Sequence, residues 1–449
     1  MTTHTARFLD TGTAGWIEGT NHVTRTLLIE PLPSELDGST IRRACKVTRI
    51  DGDAAVDETI LWYKLPAGIP YPDDSDCDCY LINLLMEAAS EGRNISISGS
   101  ISADLLSNLD EFQAAWHHWL PDRYKFVEVH ADVEREDVRP LEGAVCAFSG
   151  GVDGAFTTWR HVRGTAGHRT QRIAYGVHVH GFDIPLADRE AFAATYQRCS
   201  DTLADVGIDL LAVETNFREI SKISWEQAFG CALAAVMRNF RLVAGAGLIG
   251  SERPYSDVRM AWGSTPLTDH LLGSGEFRII HDGASRDRTE KVVAIAEWPA
   301  AVNSLRVCWK GRFKDRNCGE CEKCLRTILN FKASGLPVPE SLRQVPHFVK
   351  AIRSVQLKRD TLLTYWEEIC RHAKANGVDD PWLHEARRIT RKYRRRKFLR
   401  SVCAHSPTID FLVEQTVRRL RRAPRNRSLR GLRQAAKNAK TLRKKIFSR

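Results

Sequence analysis

Nowhere in the 449 residues does an apolar run approach the roughly 18 needed to cross a bilayer, which argues against a membrane span. The opening stretch, MTTHTARFLDTGTAGW, lacks the charged-then-apolar layout of a secretory signal, so a cytoplasmic location is expected. Cysteine is sparse, with 12 in the chain, and four of these crowd into one short stretch. Such a distribution suits a metal site in a reducing compartment better than a disulfide framework. The phosphate-binding pattern G-x-x-x-x-G-K-[ST] is missing as well. Acidic residues are nearly absent from the C-terminal end. Residues 387–449 hold 23 Lys and Arg against 2 Asp and Glu, so the net +11 of the whole chain conceals a mildly acidic body. Any electrostatic argument about partners therefore concerns that tail.

What is present centres on residues 141–160, LEGAVCAFSGGVDGAFTTWR. Gly143 to Phe148 is an apolar run of strand length, Ser149 to Gly154 is glycine-rich, and Ala155 to Val162 can continue as a helix. A strand feeding a glycine turn and then a helix leaves backbone N–H groups unpaired at the positive end of a helix dipole, a ready site for phosphate. Gly150 and Gly151 let that backbone approach an anion without a Cβ in the way. Read alone, the stretch is equally consistent with a tight turn.

Length and a composition that is 43% apolar and 27% charged imply a globular chain of two or three domains. Residues 1–140 read as a β-rich α+β accessory domain. Its strand-like segments are 22–29, 44–50, 59–65, 95–101 and 125–130, and its helices 80–90 and 104–118. Cys77 and Cys79 form a C-x-C pair without further ligands nearby. From 141 to 335 strands alternate with helices: strands at 144–148, 173–180, 210–214, 242–248, 277–281 and 305–308, helices at 188–204, 224–238 and 288–296. That order predicts an α/β fold, a parallel sheet covered on both faces with ligands beyond the carboxyl ends of its strands. The residues just past those ends, His180 to Phe182, Thr215 and Asn216, Ser251 to Arg253, and His281 to Gly283, are candidates for a pocket. Residues 336–449 read as helical and basic, with helices at 339–344, 348–370 and 381–399 and an amphipathic spacing of Val417, Leu420, Leu429, Leu432 and Leu442. The basic density suits a nucleic acid backbone or an anionic membrane surface, or else docking on an acidic protein partner.

Cys308-x9-Cys318-x2-Cys321-x2-Cys324 places four thiols in 17 residues. Four thiolates at this spacing suit tetrahedral Zn²⁺ in a closed, structural site, and they also satisfy an iron–sulfur cluster.

Ser149-Gly150-Gly151-Val152-Asp153-Gly154 resembles the S-G-G-x-D-S loop of the PP-loop ATP pyrophosphatases, with Gly154 in place of the final serine; Thr157 or Thr158 is then the hydroxyl expected to compensate. Together with Cys318-Gly319-Glu320-Cys321-Glu322-Lys323-Cys324 before a helix, and Arg288-Thr289-Glu290-Lys291 on a helix leading into the cysteines, the chain resembles the 7-cyano-7-deazaguanine synthase family. The nearest stretch to that family's pocket sequence is Pro254-Tyr255-Ser256-Asp257-Val258-Arg259. The resemblance spans 143–335 and implies an adenine nucleotide alpha hydrolase-like fold bearing the four-cysteine zinc site. It also implies ATP and Mg²⁺, and a small-molecule carboxylate that attacks the α-phosphorus, followed by amide formation from ammonia and dehydration to a nitrile. On this analogy Ser149, Gly150, Gly151, Val152, Asp153 and Gly154 hold the phosphates and their magnesium, His180 and Gly181 hold adenine, and Arg288, Lys291 and Asp153 act at the reacting phosphate. Two further readings stay open: a tRNA-modifying enzyme using the basic tail, and a non-catalytic nucleotide-binding scaffold. A homodimer is a further expectation.

Overall fold

The computed structural model describes residues 24–308, 311–342 and 345–404. The chain is α/β, built on one ten-stranded, mostly parallel sheet of order β10-β9-β6-β7-β8-β3-β2-β1-β4-β5. The strands are β1 Arg25–Asp37, β2 Thr40–Asp51, β3 Ala54–Pro66, β4 Asn94–Ser102, β5 Val129–Arg135, β6 Ala144–Ala147, β7 Ile173–His180, β8 Asp209–Thr215, β9 Ala246–Gly250 and β10 Arg278–Asp282. The helices before the last strand are α1 Asp78–Glu91, α2 Ala103–Trp119, α3 Val152–Val162, α4 Arg189–Ala204, α5 Phe217–Ile220 and α6 Trp225–Arg238. After it come α7 Arg288–Ile295, α8 Pro299–Ser304, α9 Glu322–Ala333, α10 Phe348–Ser354, α11 Asp360–Ala375 and α12 Pro381–Ala404.

The five strands β10-β9-β6-β7-β8 are parallel throughout, with β6 at their centre. The glycine loop therefore leaves the middle strand, where the chain reverses direction across the sheet and an opening between loops is expected. β3 joins the outer edge of β8 in antiparallel fashion through only Tyr63↔Thr215 and Lys64↔Glu214. Asn216 prolongs that seam: its Oδ1 accepts from the Trp62 N–H at 3.0 Å and its Nδ2 donates to the Ile60 carbonyl at 2.8 Å. This amide, a pocket candidate by sequence position, instead substitutes for strand backbone.

One core runs across both parts of the sheet. Leu27, Val47 and Leu61 of the N-terminal strands belong to the same buried cluster as Val145, Val213 and Ile249 of the parallel strands. Between them lies α1, apolar almost all round because it is covered by the sheet and by α6. Cys77 and Cys79 sit in this core. Burial pushes the Cys79 thiol up to about 12, so the C-x-C pair is packing and not a ligand set. A second core lies beneath the glycine loop, formed by α3, α7, α8 and α9, and a third joins α9 to α10, α11 and α12.

Several segments differ from their sequence patterns: the strand expected at 125–130 runs instead over Val129–Arg135, and the described part of the helix expected at 339–344 is a 3-10 turn at Glu340–Leu342. The apolar run 305–308 is not a strand; it is buried, and its N–H groups go to Gly150 O (from Arg306, 2.8 Å) and to the Asn317 side chain (from Val307, 2.8 Å, and Cys308, 3.2 Å). The strand expected at 242–248 starts only at Ala246, because 241–243 is a turn. The helix expected over 348–370 is split into α10 and α11 by an extended stretch that buries Leu357. Among the described residues no helix is long and apolar enough to cross a membrane. Val417 to Leu442 lie outside the described residues.

Candidate functional site

The loop at the end of β6 has the geometry its glycines suggest. Gly150 takes φ +71°, a region that favours glycine, and Gly151 caps α3 with extended backbone. A Cβ on Gly154 would lie 3.0 Å from the Ala147 carbonyl, and one on Gly250 would lie 2.8 Å from the Asp153 backbone. The first turn of α3 is therefore pressed against β6 and β9, which is a steric reason for glycine where the resembling loop has serine. Thr157 and Thr158 do not replace that hydroxyl. Both are fully buried and neither lines the cavity; Thr158 Oγ1 lies 3.6 Å from the Cys146 sulfur.

A cavity of about 250 Å³ opens beside this loop, lined by Ser149, Asp153 and Gly154. Its lining is of two chemical kinds. One is apolar and aromatic, with Val177, Val179, Phe182, Ile184, Trp225 and Phe229, the rings of Phe182 and Trp225 being 4.9 Å apart. The other is charged, with Asp153, Asp183, Glu252, Arg288, Arg306 and Lys323.

The charged part is set by α7. Asp287 caps this helix in a reciprocal capping box with Glu290, and the next turn delivers Arg288 and Lys291 to the loop. Arg288 Nη1 donates to Asp153 Oδ2 at 2.8 Å, and Lys291 Nζ lies 3.4 Å from Asp153 Oδ1 and also donates to the Ser251 carbonyl. Burial alone would raise the Asp153 pKa, but Arg288, Lys291 and Lys323 outweigh it and hold the carboxyl below its ordinary value. Burial lowers the Lys291 and Lys323 ammonium pKa values. The structure thus brings Asp153, Arg288 and Lys291 into one cluster with the glycine loop.

His180 and Gly181 are placed elsewhere. His180 stacks on Phe192 at 4.4 Å, its Nε2 donates to Pro185 O at 2.9 Å, and neither residue lines the cavity. Gly181 is bare because a Cβ there would meet the Thr215 carbonyl at 2.0 Å. His178 does line the cavity, yet burial holds its pKa down at about 4, and both ring nitrogens are engaged, by Phe148 O at 3.0 Å and Thr195 Oγ1 at 3.2 Å. A neutral ring with no free nitrogen is no general base. His281 is held by Asp269 at 2.7 Å and lies outside the cavity lining, as does the whole of 254–259.

The four cysteines of the cluster converge. The sulfurs of Cys308, Cys318, Cys321 and Cys324 all lie within 4.8 Å of one another, with Cys308–Cys318 at 3.4 Å, Cys308–Cys321 at 3.7 Å and Cys318–Cys324 at 3.9 Å. Sulfurs on a tetrahedron of bonds about 2.3 Å long stand roughly 3.8 Å apart, so the quartet fits a metal ion such as zinc. Cys318 accepts the Cys321 N–H, and Cys321 caps α9 by accepting the Cys324 N–H. The hydrogen bond from the Cys324 thiol and that N–H pull the Cys321 thiol down to about 5 despite burial.

Sequence reasoning missed three charged cavity residues. Arg306 sits two positions before Cys308, inside the run with a strand's pattern. Lys323 lies between two cysteines, where it reads as part of the knuckle. Among the described residues Arg306 Nη2 and Arg288 Nε are buried without a partner, and the Lys323 ammonium makes no hydrogen bond or salt bridge. Asp183 follows β7, one position past the stretch singled out there, and is likewise unpaired among them. Its place near a strand end is the one signal that could have marked it. Glu252, inside the candidate stretch after β9, does reach the cavity and accepts the Tyr365 hydroxyl at 2.9 Å.

Asp287 gives a pH test of how α7 is held. Burial works against its charge, but the His372 hydrogen bond at 2.6 Å, the Glu290 N–H and Arg371 lower its pKa to about 2. Against an unfolded value of about 3.9, this contributes about 2.6 kcal/mol. That stability is complete above roughly pH 4 and is lost as the pH falls through about 2. Asp287→Ala is expected to lower stability at neutral pH by a similar amount and to flatten this limb of an acid-unfolding curve followed by tryptophan fluorescence.

Comparison with protein-family models, with curated proteins and with solved structures finds no match. The fold and the site alone define the class: an α/β chain with a glycine loop at the centre of a parallel sheet, a cavity lined in part by cations, and a four-cysteine cluster beside it.

Proposed function

We propose that this chain is an ATP-dependent ligase that adenylates a small carboxylate, releasing pyrophosphate and then AMP, on an adenine nucleotide alpha hydrolase-like scaffold. One observation carries the reading: donors buried without acceptors among the described residues, Arg288 Nε and Arg306 Nη2, surround a glycine loop at a helix N-terminus. Unpaired buried donors are costly, and an anion with several oxygens removes that cost. The aromatic part of the same lining suits a flat base, here through Val177, Val179, Phe182 and Trp225 and not through His180 and Gly181.

In this mechanism the loop N–H groups and Lys323 hold the β- and γ-phosphates. Asp153 aligns Arg288 and Lys291 toward the α-phosphorus. A carboxylate oxygen of the substrate attacks that phosphorus, and the bond to the bridging oxygen of pyrophosphate breaks. Ammonia then attacks the acyl carbon, AMP leaves, and the nitrogen loses a proton. Positioning and charge stabilisation supply most of the acceleration. The free carboxylate of Asp183 and the phosphate oxygens form an oxygen donor set that suits Mg²⁺, which would neutralise charge on the leaving pyrophosphate. The cysteine quartet offers no open coordination position and supports the wall of the site.

The test is pyrophosphate release from ATP with a panel of carboxylates, with and without ammonia. Carboxylate-dependent release is expected. Nucleotide binding with no release under any carboxylate would favour the scaffold reading.

A further inference from the structure

We infer that the outward face of α12 is a docking surface for the phosphodiester backbone of a nucleic acid. The helix spans Pro381–Ala404, about 36 Å at 1.5 Å per residue. Its inner side is occupied: Trp382, Leu383, Ala386 and Ile389 are buried in the core shared with α9, α10 and α11. Some of its exposed cations are neutralised by the protein itself, through Arg388–Glu385, Arg394–Glu367 at 2.6 Å and Lys397–Asp360 at 2.9 Å. Others are not. Arg391, Lys392, Arg395 and Arg396 are exposed and make no hydrogen bond or ion pair among the described residues. They fall at i, i+1, i+4 and i+5, so Arg391 and Arg395 form a row opposite the buried side, and Lys392 and Arg396 form the neighbouring row along its edge.

Two considerations fix the occupant. Cations repeating about every 6 Å along a rigid rod match a line of phosphates and gain from release of its counterions. A bilayer-seated helix needs an apolar face to insert, and here that face is already consumed by the core. The sequence after Ala404 stays rich in Arg and Lys, which adds charge of the same sign for the same ligand.

The experiment measures binding of the full-length protein to a labelled oligonucleotide, as a duplex and as a single strand, across salt concentrations. Wild-type protein is compared with R391E/K392E/R395E/R396E and with a control reversing four exposed cations elsewhere, R123E/K125E/R139E/R169E. All target exposed positions, and circular dichroism checks that each variant folds. Each phosphate contact contributes roughly 0.9 to the logarithmic salt slope on a duplex and about 0.7 on a single strand. The helix variant is expected to lose about 3 to 4 units of slope. Between about 50 and about 200 mM salt, wild-type duplex binding should accordingly fall about a hundredfold more than that of the variant. The inference is overturned by absence of binding at low salt, by equal losses in both variants, by an unchanged slope in the helix variant, or by anionic vesicles binding where oligonucleotides do not.

Discussion

The protein as purified is expected to carry one tightly held zinc, and Cys308→Ser or Cys324→Ser is expected to abolish it and lower Tm by about 10 °C or more. The size of the effect follows from where the sulfurs sit. Cys308 and Cys324 are buried and themselves belong to the core beneath the glycine loop. Free energy of binding at a structural zinc site is folding free energy, on the order of 10 kcal/mol in small zinc domains. Whole proteins are stable by only about 5–15 kcal/mol. Loss of even half of that contribution would loosen α9, and with it the third core that anchors α11 and α12. Cys318→Ser, at the exposed corner, is expected to weaken the site less, and Cys370→Ser, which lies apart from the quartet, to leave metal content unchanged. Metal content by mass spectrometry and thermal unfolding decide the matter. A brown protein with visible absorption would replace zinc by an iron–sulfur cluster.

The parts of this site that can be read from the chain are those built within a single short segment. Ser149 to Gly154 announces a loop because its glycines, the preceding apolar run and the following helix are contiguous. Cys318, Cys321 and Cys324 announce a metal knuckle by spacing alone. Arg288 and Lys291 are legible because a single helical turn carries both. Arg306, Lys323 and Asp183 are not, since each reaches the cavity from a different element and only packing brings them together. The same limit applies to the fold. Two-residue alternation marks most of the N-terminal strands, yet nothing local to 59–65 says that β3 pairs with β8. That seam depends on the Asn216 amide serving as surrogate backbone across more than 150 positions of sequence.

Removing Lys323 should separate binding from stability in opposite directions, which a purely structural role for this side chain would not do. Arg288, Arg306 and Lys323 all line the cavity, where Asp153 is already held by Arg288 and Lys291 and Glu252 by Tyr365, leaving Arg306 and Lys323 without a hydrogen-bonded carboxylate among the described residues. Burial, followed by repulsion from Arg288, disfavours the charge on Lys323. Lys323→Met keeps the aliphatic stem and removes that repulsion, so the unliganded protein is expected to be as stable as wild type or slightly more so. A hydrogen bond to a charged group contributes about 1.5–3 kcal/mol, so affinity for pyrophosphate or a non-hydrolysable ATP analogue should fall by about ten- to a hundredfold. Arg306→Met should behave alike in binding, because its backbone bond to Gly150 O survives while Nη2 is lost, but it also removes the Nε hydrogen bond to the Lys314 carbonyl at 2.7 Å and so costs about 1 kcal/mol of stability. Asp153→Ala is the contrasting case. It strands Arg288 and Lys291 as buried charges without their counter-ion, and removal of one partner of a buried pair costs about 3–5 kcal/mol. Calorimetric titration with pyrophosphate beside thermal unfolding therefore yields distinct signatures: affinity lost with stability kept at 323, affinity lost with a small loss of stability at 306, and a large loss of stability at 153. Equal affinity in wild type, Lys323→Met and Arg306→Met would remove these cations from the phosphate site. Absence of any pyrophosphate binding by the wild-type, metal-loaded protein would remove the phosphate site itself.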